Sequence, residues 1–431
     1  MLMPHWPMPP WHKNIKYDLN NIIRLLEKLG SPHLKLPPVI HIAGTNGKGS
    51  SVALFKSIFE AAGLKAHSYT SPHLIEYNER IVLANEKISD NFLFEICEKT
   101  RLVSLSIGLE PTFFEGTTVA AFLAFSQTPA DILILETGLG GRLDATNVVP
   151  KPLLTLITPI SYDHIDVLGN TLSLIATEKA GIIKPEVPCL ISCQTDEVYE
   201  ILLTKCQEVG APAFCYEYDF GLMPKNKESF IYLSKTMNLE FPKPSLLGDH
   251  QLINAATVIA GIGLINKEFN ITTSEISTGL KNTIWPARIQ QIDPVKYQHL
   301  ASNNIRIWVD GAHNNGGAQV LAHWLKDNLE SPIYLILGMT KNRNIEDFCA
   351  FFRGLIAGGY GVRVISETSS YGAEILSTRA NSAGINFCPA ESLEEAIREI
   401  NTLSRGNANI IVTGSLFLAA DFFKLISQKS V

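Results

Sequence analysis

The stretch Gly44-Thr45-Asn46-Gly47-Lys48-Gly49-Ser50 sits between an apolar run, Val39–Ala43, and a segment of helical period, Ser50–Ala62, closed by Gly63. That order of parts suits the capture of phosphate. Glycines let backbone N–H groups point into one small arc without Cβ clashes. The helix adds the positive end of its dipole, and Lys48 places a point charge on the terminal phosphates. The spacing departs from G-x-x-x-x-G-K-[ST], since Gly44 precedes Lys48 by four positions and Gly49 intervenes before Ser50. A glycine-rich turn carrying an exposed lysine is the plain alternative. Phosphate binding is favoured because strand, glycines, lysine, hydroxyl and helix coincide.

Three further stretches leave strand-like runs: Tyr69-Thr70-Ser71-Pro72-His73-Leu74, the segment from Glu136 to Asn147, and Thr158-Pro159-Ile160-Ser161-Tyr162-Asp163-His164. In doubly wound sheets, loops at the carboxyl ends of strands gather in one crevice, where ligands bind. The Ser71 hydroxyl, the Glu136 carboxylate and the His164 imidazole, if gathered there, could hold Mg²⁺ beside nucleotide phosphates. Mg²⁺ prefers oxygen and retained water, so the imidazole is the unusual member of the set. Taken singly, Glu136 reads equally as a helix cap and His164 as a core histidine.

The elements that would position these groups alternate as an α/β chain does, with short apolar runs between longer segments of helical period. Val39–Ala43, Ala66–Tyr69, Ile132–Glu136, Leu153–Thr158 and Cys189–Ser192 read as strands. Asp90–Ser106, Thr117–Ser126 and Thr171–Gly181 read as helices. Aromatic-rich runs at Phe214–Tyr218 and Phe230–Leu233 suggest a small antiparallel appendage. A second series follows, with strands at Ile305–Asp310, Ile333–Leu337, Val362–Ser366 and Ile410–Thr413, and helices at Gly316–Leu329 and Ile345–Leu355. The polar stretch Gln290–Asn304 reads as the linker, which places a boundary near Arg288–Tyr297.

The 431 residues favour two sizeable domains, and 46% apolar against 18% charged residues excludes disorder. A net charge of −6 argues against a broad nucleic-acid-binding surface. Seven cysteines at irregular spacing form neither a disulfide framework nor paired zinc knuckles, which fits a reduced, cytoplasmic setting. The N-terminus carries prolines and aromatics where a secretory peptide needs an unbroken apolar core. No uncharged apolar run approaches the ~20 residues of a membrane helix, so no membrane partner is expected.

The stretches GTNGKGS, TSPHLIEYNERI, LETGLGGRLDATN, DHIDVLGNTLSLIATEKAGI, GDHQLINAA, DGAHN and TGSLF occur in the order seen in folylpolyglutamate synthases and bifunctional dihydrofolate synthases, of the Mur-ligase superfamily. The chain resembles these ATP-dependent amide-forming ligases from about Ile40 to Phe417. The resemblance implies a P-loop-containing, mostly parallel sheet domain over residues 1–290 that binds ATP and folate. A smaller Rossmann-like glutamate-ligase domain would span residues 291–431.

It also implies roles. Thr45, Asn46, Gly47, Lys48, Gly49 and Ser50 would hold ATP, with Ser71, Glu136 and His164 as Mg²⁺ ligands. Lys179 matches a lysine that the family carries as a carbamate, able to support a second Mg²⁺; otherwise it reads as a solvated helix lysine. Asn254 and Arg288 match adenine and phosphate contacts, where the residues alone suggest a polar helix position and a linker charge. Asp310 and His313 match groups that reach ATP, and Ser415 a serine near the incoming glutamate; helix caps are the alternatives for Asp310 and Ser415. Phe114, Glu115, Gly116 and Thr117, with Leu143, Asp144 and Ala145, match dihydropteroate contacts of the bifunctional enzymes. Lys48, Lys179, His313 and Ser415 form the expected catalytic set. The implied partners are ATP, L-glutamate, and dihydropteroate or a reduced folate, acting on a monomer.

Departures from the pattern cluster in the second series. Asn315 stands where proline often follows DGAHN, Thr340-Lys341-Asn342-Arg343-Asn344 replaces a usual Lys-Asp, and Ser369–Ala373 lacks an expected arginine. They bear on glutamate-tail recognition rather than ATP chemistry. The Pro/Trp-rich N-terminus has no counterpart. The RLDATN wording favours a bifunctional enzyme over one that only extends the tail. The rivals are a folylpolyglutamate-only synthase, a UDP-muramoyl amino-acid ligase, which would lack the FFEGT and RLDATN segments, and a nucleotide-binding module without ligase activity.

Overall fold

The computed structural model describes residues 4–7, 18–330, 332–341 and 343–427; residues 1–3 and 8–17 of the Pro/Trp-rich start, and Asn342, lie outside the described residues. The chain separates into two compact α/β units. The first takes residues 1–161, 165–245 and 251–284, and the second residues 162–164, 246–250 and 285–431.

The strands of the first unit are β1 (Val39–Ala43), β2 (Ala66–Tyr69), β3 (Ile81–Leu83), β4 (Glu86–Lys87), β5 (Ile132–Glu136), β6 (Leu154–Ile157), β7 (Cys189–Ile191), β8 (Ala213–Cys215), β9 (Phe220–Pro224), β10 (Ser229–Ser234) and β11 (Asn238–Pro242). Eight of them form one sheet in the order β4-β3-β2-β5-β1-β6-β7-β8, parallel from β2 to β8. The remaining three make an antiparallel sheet, β11-β10-β9. The helices, in chain order, are α1 (Asn20–Lys28), α2 (Lys48–Ala61), α3 (Asp90–Ser106), α4 (Phe113–Gln127), α5 (Ile165–Leu168), α6 (Leu172–Ala180), α7 (Asp196–Val209), α8 (Asp249–Phe269) and α9 (Thr273–Asn282).

A parallel strand covered on both faces has no polar side, and β1 is buried along its whole length. Its alternation still sorts the faces: Ile40 and Ile42 join the core formed with α2, α8 and α9, whereas Val39 joins the core of α1, α3 and α4. The chain passes from β1 to β2 on one side and from β5 across to β6 on the other, so β1 lies at a topological switch point. The carboxyl ends of β1, β2, β5 and β6 therefore open into one crevice. Helix α8 is long and apolar enough to cross a membrane by length and composition. Here it is a core helix, with Leu252, Ala255, Ala256, Val258 and Ile262 packed into the core of Ile40 and Ile42.

The second unit has strands β12 (Gln290–Gln291), β13 (Ile305–Val309), β14 (Ile333–Leu337), β15 (Gly358–Gly361), β16 (Phe387–Pro389) and β17 (Ala408–Thr413), with helices α10 (Asn315–Asn328), α11 (Ile345–Ala350), α12 (Ala373–Ser382), α13 (Leu393–Leu403) and α14 (Leu416–Ser427). Its sheet order is β12-β13-β17-β14-β15-β16, parallel except for β12.

Four sequence expectations change. The stretch from Gln290 is no linker: Gln290 and Gln291 pair antiparallel with Val309 and Trp308 as an edge strand. The strand expected at Val362–Ser366 lies at Gly358–Gly361. Glycine has low strand propensity, yet a Cβ at Gly359 would meet Phe387 Cζ and Leu335 O at 2.5 Å, so packing requires it. The Phe214 run is a parallel strand of the main sheet, not part of the antiparallel appendage. Helix α4 begins at Phe113 rather than Thr117, because Thr112 and Glu115 close a capping box ahead of it.

Helices α2 and α9 meet where a Cβ on Gly279 would lie 2.5 Å from Ile58 Cα, and Ser57 donates to Gly279 O at 2.8 Å. Gly279→Val should therefore force the helices apart and lower stability by about 1–3 kcal/mol. Urea unfolding monitored by circular dichroism checks this, and an unchanged midpoint would contradict the packing.

Candidate active site

The glycine loop is shaped by its neighbours. Gly44 has φ +146°, and a Cβ there would lie 1.9 Å from Thr158 Oγ1. Gly47 has φ +88°, and its Cβ would lie 2.8 Å from Asn254 Oδ1. Neither position admits a side chain. The Thr45 and Asn46 N–H groups donate to Pro159 O at 3.0 and 3.2 Å. The Thr45 hydroxyl donates to Ser161 O and accepts from Ser161 N–H, both at 3.1 Å. Thr45 and Asn46 thus tie the loop to the segment after β6, and an arc of amides available to an anion would start at Gly47. There the first-turn N–H groups of α2 lack partners within the helix.

The Lys48 ammonium donates to Gly44 O and Thr45 O, each at 3.2 Å, and lies 3.9 Å from Glu136 Oε1. Lys179 donates to the same Gly44 carbonyl at 2.8 Å. At 5% exposure it is not a solvated helix lysine. Two ammonium groups on one carbonyl repel each other, and an anion set among them and the loop amides relieves that repulsion. Glu136 Oε2 accepts from Ser71 N–H at 3.2 Å. The ends of β1, β2 and β5 and the helix α6 thus meet at one point. Gln251, not anticipated from sequence, is buried here and links Asn254 to the Ser50 hydroxyl, at 3.0 and 3.3 Å. Its only sequence signal was its place in GDHQLINAA.

Ser71 and Glu136 supply oxygens suited to Mg²⁺, which takes carboxylate, hydroxyl, phosphate and water together. Among the described residues, no group of three or more His, Cys, Asp or Glu is arranged to hold a metal. His164 belongs to the second unit. It has φ +50°, its side chain is 49% exposed, and its Nε2 lies 3.7 Å from Asp163 Oδ1, so it is no core histidine.

Phe114, from one of the two segments expected at the substrate ring, meets the loop after β5 that carries the other. The Phe114 ring lies over Gly138, where a Cβ would be 2.3 Å from Phe114 Cζ. Glu115 is used in the capping box, accepting from Thr112 N–H at 2.7 Å, and the Thr117 hydroxyl donates to Phe113 O at 2.6 Å. Asp144 is buried: Oδ2 accepts from Leu139 N–H at 2.8 Å, and Oδ1 from Thr146 N–H at 2.9 Å and from the Thr146 hydroxyl. Its carboxylate organises the loop after β5. Ala145 is a core residue and Leu143 is half-buried. Since Thr146 Oγ1 donates to Asp144, it must accept from His41 Nε2–H, 2.9 Å away.

In the second unit, Asp310 Oδ2 accepts from Ile289 N–H and Oδ1 from Ala312 N–H, both at 2.8 Å, which fixes the turn after β13. Burial raises its pKa, with the Arg288 charge opposing. Arg288 Nη1 crowds Gly311, where a Cβ would be 2.9 Å away, so Arg288 is not a linker charge. His313 Nδ1 lies 2.8 Å from Gly311 O, and its Nε2 lies 3.3 Å from Asp163 Oδ2. Asp163 also accepts from Asn314 Nδ2 at 3.1 Å and pairs with Arg343. Burial would raise the Asp163 pKa, but His313, Arg343 and His164 together hold it well below the usual carboxylate range. Neither Asp163 nor Arg343 was anticipated, although both lie in stretches marked in the sequence. Ser415 Oγ accepts from Phe417 N–H at 3.0 Å, as a cap at the start of α14 does.

A glycine loop at a sheet switch point, with lysines and a carboxylate converging on it, is the arrangement of a nucleotide-phosphate site in an α/β protein. Residues 42–262 match the Mur ligase middle domain, and residues 293–356 the dihydrofolate synthetase C-terminal domain. The chain is 31% identical to the Bacillus subtilis dihydrofolate synthase/folylpolyglutamate synthase over 95% of each protein. It is 31% identical to a probable dihydrofolate synthetase of Schizosaccharomyces pombe, over 96% of this chain and 99% of the relative. Among solved structures, E. coli FolC in complex with DHPP and ADP superposes with a TM-score of 0.87 at 26% identity, covering 97% of this chain and 95% of that one. The chain belongs to the dihydrofolate synthase/folylpolyglutamate synthase family.

The His41–Thr146–Asp144 chain has a pH signature. Burial, reinforced by the Lys184 charge, pushes the His41 pKa down to about 3, whereas an unfolded histidine titrates near 6.5. Between those values the unfolded chain holds the extra proton. Stability should therefore fall as pH drops from about 6.5 toward 3, by up to about 1.4 kcal/mol per unit. His41→Gln, which keeps an N–H toward Thr146, should remove that part of the slope. Denaturant unfolding of both proteins at pH 7 and pH 5 checks it; equal losses on acidification would contradict the assignment.

Proposed function

We propose that this chain joins L-glutamate to 7,8-dihydropteroate, forming dihydrofolate, and adds further glutamates to reduced folates, each time converting ATP to ADP and phosphate. The observation that carries this reading is the meeting of Lys48, Glu136 and Lys179 at the Gly44 loop, together with Phe114 set over Gly138 in the same unit. The first unit would bind ATP and the ring end of the substrate, and the second the glutamate. The relatives named for both activities support assigning both.

A substrate carboxylate attacks the γ-phosphorus of ATP, giving an acyl phosphate and ADP. The glutamate amine then attacks the acyl carbon and phosphate leaves. The first step brings two anions together, so charge neutralisation by Lys48 and the amides of Gly47–Ser50 matters most. Glu136 and Ser71 would hold Mg²⁺, which when bound would offset negative charge on the phosphates. Lys179, held at Gly44 O, would keep the loop in shape, and as a carbamate would offer a second anionic ligand. In the second unit, His313 is oriented by Gly311 O and Asp163, beside the turn that Asp310 and Arg288 shape. Ser415 would stand near the incoming glutamate.

Lys48→Ala should abolish ADP formation with dihydropteroate, glutamate and MgATP, by at least about a thousandfold, while circular dichroism stays unchanged. Near-normal turnover would contradict the role of Lys48. Equal failure of the wild-type protein with dihydropteroate and with a reduced folate would sink the substrate assignment.

A further inference from the structure

The Pro/Trp-rich start of the chain is the marked motif that the proposed function leaves unused, and its described part, residues 4–7, is seated in a specific place. Pro4 and Pro7 are buried. His5 Nε2 lies 2.9 Å from Glu98 Oε2 on α3, and its ring centroid is 4.5 Å from that of Phe94. Trp6 packs against the core that also takes Phe113 and Phe114 of α4. A Cβ on Gly116 would lie 2.8 Å from Pro7 Cγ and 3.1 Å from Trp6 Cη2. Residue 116 must be glycine because these two side chains cover it.

The covered turn is the one assigned to the ring end of the substrate. Its polar side chains are engaged locally, Glu115 in the helix cap and Thr117 with Phe113 O. What this turn offers a ligand is therefore chiefly aromatic atoms: Phe114, whose ring tip meets Gly138, and the partly exposed Trp6 beside Gly116. A flat bicyclic heteroaromatic gains from such aromatic groups through stacking.

We infer that Trp6, seated by Pro7 and the His5–Glu98 contact, forms a wall of the pterin subsite and sets affinity for the fused-ring end of the substrate. The inference rests on the pterin reading of the first turn of α4. The test is steady-state kinetics with dihydropteroate for Trp6→Ala, Trp6→Phe and Phe114→Ala, with thermal unfolding as a check on the fold. Trp6→Ala should raise KM for dihydropteroate by about three- to tenfold, with kcat and KM for ATP within about twofold, and Trp6→Phe should restore most of the loss. An unchanged or lowered KM in Trp6→Ala, beside a raised KM in Phe114→Ala, would overturn the wall and leave the subsite standing. Flat values for all three variants would overturn the subsite reading and this inference with it.

Discussion

The backbone carbonyl of Gly44 is the point on which the site depends. Lys48 and Lys179, from different helices, both donate to it, at 3.2 and 2.8 Å. The carbonyl can be presented this way only because Gly44 takes a φ of +146° and leaves room for Thr158. Two cations held this close raise the local potential, with the Glu136 carboxylate 3.9 Å from Lys48 as an anionic neighbour. A polyphosphate would complete that arrangement, and the first-turn amides of α2 would add directional donors to it.

The loop after β5 carries this constraint toward Phe114. Arg142 N–H donates to Glu178 O at 2.7 Å, and Asn147 Nδ2 to Gly181 O at 3.0 Å, so the loop brackets the end of α6 that bears Lys179. A Cβ on Gly141 would lie 2.7 Å from Lys179 O. The same loop places Gly138 under Phe114, and its shape is set by the buried Asp144. One segment thus fixes both Lys179 and the contact between Gly138 and Phe114.

The α/β architecture and the glycine turn between β1 and α2 were legible in the sequence because both rest on local patterns. Buried parallel strands such as Val39–Ala43 are continuous apolar runs, and glycines next to a lysine at a helix start have few other uses. What stayed illegible depended on packing. Gly358–Gly361 is a strand because Phe387 and Leu335 crowd it, and Gln290–Gln291 is a strand because Val309 and Trp308 offer it an edge. Asp144, Glu115 and Ser415 matched ligand contacts by motif, yet their carboxylates and hydroxyl bond to nearby backbone. Gln251, Asp163 and Arg343 act through partners distant in sequence, and no spacing rule points to them.

Hydrogen–deuterium exchange of the Gly44–Ser51 segment, with and without MgADP, tests the central claim most directly. If the loop is the polyphosphate seat, its amides slow markedly on addition of MgADP, with those of Gly47–Ser50 slowed most. Exchange that stays unchanged there, while nucleotide binding is detected calorimetrically, would place the phosphates elsewhere and contradict the account.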